Sequence, residues 1–160
     1  MHMKNKGFTL IELLVVIAII GVLATVVLGS LGNAKAKARD TRRMSDLKQM
    51  QIALEMYHSD YGTYPNTSNG WWGNCASFGS RGTTGPTGYI PGLAPSYISV
   101  LPLDPKPIGT DACYLYRSTG IEYMFLIHKT VEGSLVDSIK RPAVPSQNSY
   151  AVYTQGGSNW

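Results

Sequence analysis

The chain has few of the residues that build metal centres and catalytic sites. Its 160 residues include only two cysteines and three histidines. This excludes a disulfide-dense scaffold and a four-cysteine zinc site, and leaves room for one disulfide bond. The sequence also lacks a nucleophile elbow and a glycine-rich phosphate loop. Because neither His58 nor His128 lies in a metal-binding or catalytic pattern, we predict that the protein is not an enzyme and binds no cofactor.

Charged residues are scarce as well. They make up 15% of the chain, whereas 44% of the residues are hydrophobic. This composition excludes a disordered chain that is kept open by its own charge. The length suits one domain of ordinary size.

One long segment near the N-terminus has almost no charge. Residues 13–34 carry none, and extending the run back to Phe8 adds only Glu12. A helix of about 20 residues spans a bilayer core, whereas the apolar core of a secretory signal has only about 7–15 residues. The run therefore predicts a single membrane-spanning helix.

Glu12 is costly in such a helix. A carboxylate in the bilayer core costs roughly 2.5–3.5 kcal/mol on insertion scales. Glu12 could lie near the end of the span and reach the headgroups, or it could meet a positive group in an assembly. No lysine or arginine occurs between Glu12 and Lys35. In the second case the positive group must come from another chain or from a newly made amino terminus.

The charges on either side of the run conflict with the other signals for topology. Two lysines precede it and five basic residues follow it up to Arg43. Counted alone, this excess places the C-terminal part in the cytoplasm. The two cysteines, the turn-rich C-terminal part and the N-terminal motif favour an extracytoplasmic C-terminal domain, and we adopt that orientation.

The residues around Glu12 form a specific motif. Residues 6–16 read KGFTLIELLVV, which resembles the class III signal of type IV pilins and of their relatives, the pseudopilins of type II secretion and the competence pilins. The resemblance implies that a prepilin peptidase cuts between Gly7 and Phe8 and methylates the new N-terminus at Phe8. It also implies that Glu12 pairs with the N-terminal amine of a neighbouring subunit during assembly by an inner-membrane platform.

The helix continues beyond the apolar run. Apolar residues recur three and four apart from Met44 to Tyr61, which predicts an amphipathic spine helix packed on the chain's own C-terminal domain. Ile52 and Met56 lie off this stripe, and either contact a neighbouring subunit or have no role. The predicted organisation is a leader at 1–7, an apolar helix half at 8–34, an amphipathic half at 35–61 and a globular head at 62–160.

The head combines a long connection with a small sheet. Residues 62–112 are rich in glycine and proline and form the predicted αβ loop, with a short helix around Leu93–Leu101. Trp71 and Trp72 either cover the spine helix, which we favour, or are an exposed contact. Strands are predicted at 112–118, 122–130 and 149–154. The fold class is α+β and pilin-like, with a long N-terminal helix packed on a small antiparallel β-sheet at 112–160.

Cys75 and Cys113 are expected to pair in an exported domain, which stabilises it by roughly 4 kcal/mol in the chain-entropy model. In a reducing compartment they would be two free thiols. The resemblance also raises calcium, since major pseudopilins commonly bind it through acidic residues after a Ser-x-Gly turn. This chain has Ile121 and Glu122 there and Asp137 farther on, which argues against calcium.

We conclude that the sequence predicts a structural subunit of an extracytoplasmic type IV pilus-like filament, a homo-oligomer held in the inner membrane before assembly and then displayed at the cell surface. The long glycine- and proline-rich loop favours a pilin. The alternatives are a major pseudopilin of type II secretion or of a DNA-uptake system, and a membrane-anchored surface-binding domain that never polymerises. Basic residues cluster only at 33–48 and the head is nearly neutral, so nucleic acid is not expected to be the main partner.

Overall fold

The computed structural model describes residues 7–133 and 149–160. The predicted leader, apart from Gly7, and the segment that contains Asp137 therefore lie outside the described residues. The chain falls into two units, residues 1–36 and 37–160. The boundary falls inside the long helix α1 (Leu10–Tyr61).

The first unit holds the apolar half of α1. Every described side chain up to Lys35 is exposed. The few hydroxyl groups in this half are satisfied locally, since Thr25 Oγ1 donates to the carbonyl of Val22 at 2.7 Å and Ser30 Oγ to that of Val27 at 3.0 Å. A hydroxyl bonded within its own helix can enter an apolar environment at low cost. This half is long and apolar enough to cross a membrane.

The second unit contains a four-stranded antiparallel sheet in the order β1-β2-β3-β4. Strands β2 (Tyr114–Ser118) and β3 (Tyr123–Ile127) form the predicted hairpin, and β4 (Tyr150–Tyr153) pairs with β3. The edge strand β1 (Trp72–Gly73) comes from the segment that was predicted to be loop. The sheet is therefore not confined to residues 112–160. β1 has only two residues, too few to show an alternating pattern in the sequence.

Both faces of the sheet are covered. One face, with alternate residues such as Tyr116 and Phe125, packs on the buried stripe of α1 that includes Leu47, Met50 and Leu54. This confirms the predicted spine helix and the α+β class. The other face carries Leu115, Met124, Leu126 and Ala151 in a second apolar cluster. We refer to these as the inner and outer faces.

The loop packs differently from the prediction in two places. Residues 91–100 form consecutive turns rather than a short helix, although Leu93 and Leu101 are buried as the helical pattern implied. Trp71 packs on the outer cluster and not on α1. Cys75 and Cys113 are joined by a disulfide bond with their Cα atoms 5.9 Å apart. This bond attaches the loop to the outer face beside the start of β2.

Candidate assembly site at the start of the first helix

The start of α1 is built by a capping box between Thr9 and Glu12. Glu12 Oε2 accepts hydrogen bonds from the backbone N–H of Thr9 and from its hydroxyl, both at 2.8 Å. In return the hydroxyl oxygen of Thr9 accepts the backbone N–H of Glu12 at 3.3 Å. The spacing of threonine and glutamate, three residues apart, is the one this capping motif requires. The motif holds the carboxylate of Glu12 against the first turn.

The capping box uses only one of the two carboxylate oxygens of Glu12. Both hydrogen bonds to Glu12 end on Oε2, and Oε1 accepts none from any residue within 7–133 or 149–160. A carboxylate oxygen has lone pairs for further donors. Glu12 can therefore keep its place in the helix start and accept a positively charged group from outside.

Gly7 and Phe8 precede this box and are accessible. Phe8 is 91% exposed, and nothing lies within 4 Å of the position that a side chain at Gly7 would take. The predicted cleavage bond is thus free of contacts with the described chain. Because the backbone N–H of Thr9 belongs to the peptide bond that follows Phe8, cleavage before Phe8 would leave the capping box intact.

Apart from Thr9, the described neighbours of Glu12 are apolar. Phe8, Ile11, Val15 and Val16 lie beside it, and each is about half or more exposed. Burying apolar surface contributes about 25 cal/mol per Å². A surface of this extent is not stable in water, so it must be covered by lipid or by other protein chains.

A separate group of charged residues joins α1 to the head, and we call it the clamp: Arg39, Asp40, Arg43, Asp104, Lys106 and Glu132. At its centre the guanidinium of Arg43, which is fully buried, donates to both carboxylate oxygens of Asp104 at 2.8 Å. Arg43 also donates to Asp40 at 2.7 Å and to Glu132 at 3.3 Å. Burial opposes its charge, but the hydrogen bonds to Asp104 and Asp40 outweigh this and raise the pKa of Arg43 above its usual range.

Glu132 extends the clamp to the end of the segment that follows β3. Arg39 donates to its two oxygens at 2.6 and 2.7 Å, and Lys106 donates at 3.1 Å. The hydrogen bonds from Arg39 lower the pKa of Glu132 to about 2, with smaller contributions from Lys106 and Arg43. The clamp holds three positive and three negative side chains, so it is neutral and fixes residues 104–106 and 130–133 on α1.

The pilin resemblance places calcium at the turn after Gly120, but the side chains described there do not form a calcium site. Ile121 is 77% exposed and has no ligand oxygen in its side chain, and the carboxylate of Glu122 accepts the backbone N–H of Gly156 at 3.1 Å. Calcium takes six to eight oxygen ligands. Within the described parts of the chain, no three acidic, histidine or cysteine side chains converge in a way that could hold a metal. The residues described at this turn do not fit a calcium ion, and Asp137 lies outside them.

The chain shares sequence with known proteins both in its N-terminal motif and beyond it. Residues 2–28 match the family model described as the prokaryotic N-terminal methylation motif. The chain is similar to type II secretion system core protein G of Vibrio cholerae, with 36% identity over 118 residues, 73% of each chain. This chain belongs to the core protein G family. The V. cholerae match extends well beyond the N-terminal motif, so the membership rests on the head as well as on the signal.

Other members match over a shorter stretch. The chain is 46% identical to core protein G of Escherichia coli over 67 residues, 46% of that protein, and 39% identical to that of Pseudomonas aeruginosa over 67 residues, 47% of that protein. The chain thus spans about half the length of these curated relatives. No solved structure matches it significantly. Within the predicted class, the relatives support the secretion pseudopilin, which was an alternative, over the true pilin that the loop composition favoured.

Sequence reasoning identified the exposed residues at this site but not all of their contacts. Glu12, Gly7 and Phe8 were predicted from the motif, whereas the bonds from Thr9 to Glu12 were not, although the threonine-to-glutamate spacing is a readable capping signal. The clamp was missed entirely. Its central partners, Arg43 and Asp104, are 61 residues apart, and no local pattern links them.

Proposed function

We propose that this protein is the structural subunit of a type II secretion pseudopilus, a pilus-like filament that is assembled from the inner membrane. A prepilin peptidase removes residues 1–7 and methylates Phe8. The subunit then waits as a single-pass membrane protein with its head outside the cytoplasm. An assembly platform in the inner membrane moves it into the filament, where copies of α1 bundle together. The role requires no catalytic chemistry and no cofactor from the chain itself.

The observation that carries this proposal is the open oxygen of Glu12 on an exposed apolar helix. In lipid or in a helix bundle, a carboxylate with one unsatisfied oxygen costs several kcal/mol unless it meets a donor. Cleavage before Phe8 creates a charged amine on every subunit, about one helical turn, or ~6 Å, from Glu12 along the axis. Pairing that amine with Glu12 of a neighbour satisfies both charges, and it does so only when the two helices lie in one register.

A variant that removes charge but keeps the capping box tests this pairing. Glutamine serves in the same capping motif, so Glu12→Gln retains the acceptor for Thr9 and loses only the negative charge. We expect normal membrane insertion and cleavage, and at least a tenfold loss of sheared filaments. Asp111→Asn is the matched control, because Asp111 pairs with Lys129 on the surface of the head and its removal is expected to leave assembly unchanged.

The readout is the intact mass of the protein in sheared and membrane fractions. Filament material should have lost residues 1–7, gained one methyl group and lost two hydrogens to the Cys75–Cys113 bond. If Glu12→Gln assembles as well as the native chain, the charge pair is not what sets the register. If the native chain occurs only at full length in the membrane, the protein is a non-polymerising anchor and the filament proposal is wrong.

A further inference from the structure

Arg117 lies on the outer face of the sheet, over two tryptophan rings. Its partner across the strand pair is Met124, which belongs to the outer cluster. The central carbon of its guanidinium is 4.8 Å from the ring centre of Trp160 and 5.6 Å from that of Trp71. Its Nε donates to Oδ1 of Asn69 at 2.9 Å. Arg117 and both tryptophans are half-buried. These contacts fix the plane of the guanidinium.

The far edge of this guanidinium has no acceptor. Arginine carries five N–H donors, and only the one on Nε is used. The two Nη atoms form no hydrogen bond or ion pair with any residue in 7–133 or 149–160. Glu122, which directly precedes β3, accepts the backbone N–H of Gly156 at 3.1 Å instead. Arg117 therefore differs from Arg39 and Arg43, which both bond to carboxylates.

The free edge fits a carboxylate. Two parallel N–H groups of a guanidinium match the two oxygens of an aspartate or glutamate side chain. Because the guanidinium lies over both rings and both also pack on the outer cluster, the rings support the arginine rather than offer open faces for stacking a base. A nucleic acid also needs a row of cations along its phosphates, whereas Arg117 is surrounded by the apolar residues of the outer cluster.

We propose that Arg117 anchors a partner protein by binding an aspartate or glutamate side chain of that partner through its two Nη atoms. Trp71 and Trp160 hold the guanidinium in place and surround the ion pair with apolar surface. Tryptophan and arginine are the residues on which protein interfaces most often depend. The site lies wholly in the second unit, and its test is independent of the pairing through Glu12.

The tryptophans of the chain report on this site. There are three, and two of them lie under Arg117. The third, Trp72, lies under a different arginine, Arg81, whose guanidinium carbon is 3.3 Å from its ring centre. Trp71 and Trp72 are consecutive at the start of β1, where side chains alternate between the two faces of the sheet. Trp72 is therefore an internal reference on the opposite face.

The experiment is fluorine NMR of the full chain, labelled with 5-fluorotryptophan, in a non-ionic detergent. Each signal is assigned by replacing one tryptophan at a time with phenylalanine. The probe is a peptide of four glutamates with both ends blocked, and the neutral control is the same peptide of four glutamines. We expect the signals of Trp71 and Trp160 to move with the glutamate peptide alone and that of Trp72 to stay. Added salt should weaken the binding.

Three variants test the geometry of the site. Arg117→Lys keeps the charge but loses the planar fork, and should weaken peptide binding by about fivefold or more. Asn69→Asp supplies a carboxylate at the existing contact with Arg117 and should weaken the peptide as a competitor. Aspartate, like asparagine, tolerates the φ of +62° found there. Lys48→Gln is the charge control: it removes an exposed cation from α1 and should bind the peptide as the native chain does.

Four results would overturn the proposal. If the signals of Trp71 and Trp160 do not move in the native chain, the stacking of Arg117 is only structural. Equal affinity in Arg117→Lys would mean that a point charge suffices and no fork is used. A Trp72 signal that moves with the same midpoint would mean that the peptide associates with any arginine. Tighter binding of a short oligothymidylate than of the glutamate peptide would assign the site to nucleic acid.

Discussion

Replacing Arg43 by methionine removes the centre of the clamp. Methionine has a similar length and no charge, so the helix and the surrounding volume are largely preserved. The carboxylate of Asp104, whose side chain is 1% exposed, would lose two hydrogen bonds of 2.8 Å and its counter-charge. Among the residues that the structure describes, it would retain the hydroxyl of Thr130 at 2.7 Å and the backbone N–H of Lys106 at 2.7 Å. The variant therefore leaves a buried charge without a cation.

The expected cost is large for a single substitution. Removing one partner of a buried ion pair costs about 3–5 kcal/mol, because the other charge stays buried and unpaired. In a domain of this size, 1 kcal/mol corresponds to roughly 3–5 °C in melting temperature. Arg43→Met should therefore lower the melting temperature of the head by about 10–20 °C.

Near-UV circular dichroism of the full chain in non-ionic detergent measures this change, since the buried tyrosines report the packing of the head. The matched control is Lys106→Met, which removes a cation that is 53% exposed from the same clamp. Exposed ion pairs contribute at most about 1 kcal/mol, so the control should lose only a few degrees.

A second variant separates a lost ion pair from a general packing defect. In Arg43→Met with Asp104→Leu both buried charges are gone, and the melting temperature should recover part of the loss. The reasoning would be refuted if Arg43→Met lost no more than Lys106→Met, or if the double variant were less stable than the single one.

Three further predictions concern the disulfide, the pH response and the helix start. Replacing both Cys75 and Cys113 by alanine opens a loop with a sequence separation of 38 residues. The free energy of unfolding in urea should fall by about 4 kcal/mol. An unchanged urea midpoint would show that the disulfide bond does not stabilise the head. Because the pKa of Glu132 is depressed, the stability that its charge contributes is complete above its usual pKa near 4.5 and is lost as the pH falls towards about 2. The native chain should therefore lose more stability than Glu132→Gln between these two pH values. Parallel curves of stability against pH for the two proteins would refute the role of Glu132. Thr9→Val should reduce the yield of sheared filaments, because it removes the hydroxyl that bonds to Glu12, whereas Thr9→Ser should keep the native yield. Equal yields from the two variants would show that the capping box does not position Glu12.

Part of this structure could be predicted because its signals are local. The apolar run up to Ala34 is longer than any signal core, and bilayer thickness alone converts that length into a span. The hairpin follows from two runs rich in aromatic and aliphatic residues on either side of Gly120, whose φ of +92° is accessible mainly to glycine. The pairing of Cys75 with Cys113 followed from their number, because two cysteines in an exported domain allow only one bond.

Two errors in the prediction have different causes: Trp71 had two possible surfaces to pack on, and the stretch around Tyr97 combines helical spacing with prolines. Trp71 is apolar and was assigned to α1, but the outer face of the sheet also needed covering and lies directly beside β1. The stretch around Tyr97 has helical spacing, yet prolines at positions 91 and 95 interrupt the backbone hydrogen bonds that a helix requires.

What the sequence determined by itself is the chemistry at the N-terminus: a membrane-spanning run, a bond at Gly7–Phe8 suited to processing, and one carboxylate at Glu12 whose charge has no partner in its own span. These properties depend on neighbours within one or two helical turns, so order along the chain is enough to specify them. The tertiary structure decided which of the basic residues after the run join the clamp. Arg39 and Arg43 look equivalent to Lys37 and Arg42 in the sequence. Folding pairs two of these four cations with carboxylates up to 93 residues away and buries one of them, Arg43, and charges separated by that length of chain meet only once the core has formed.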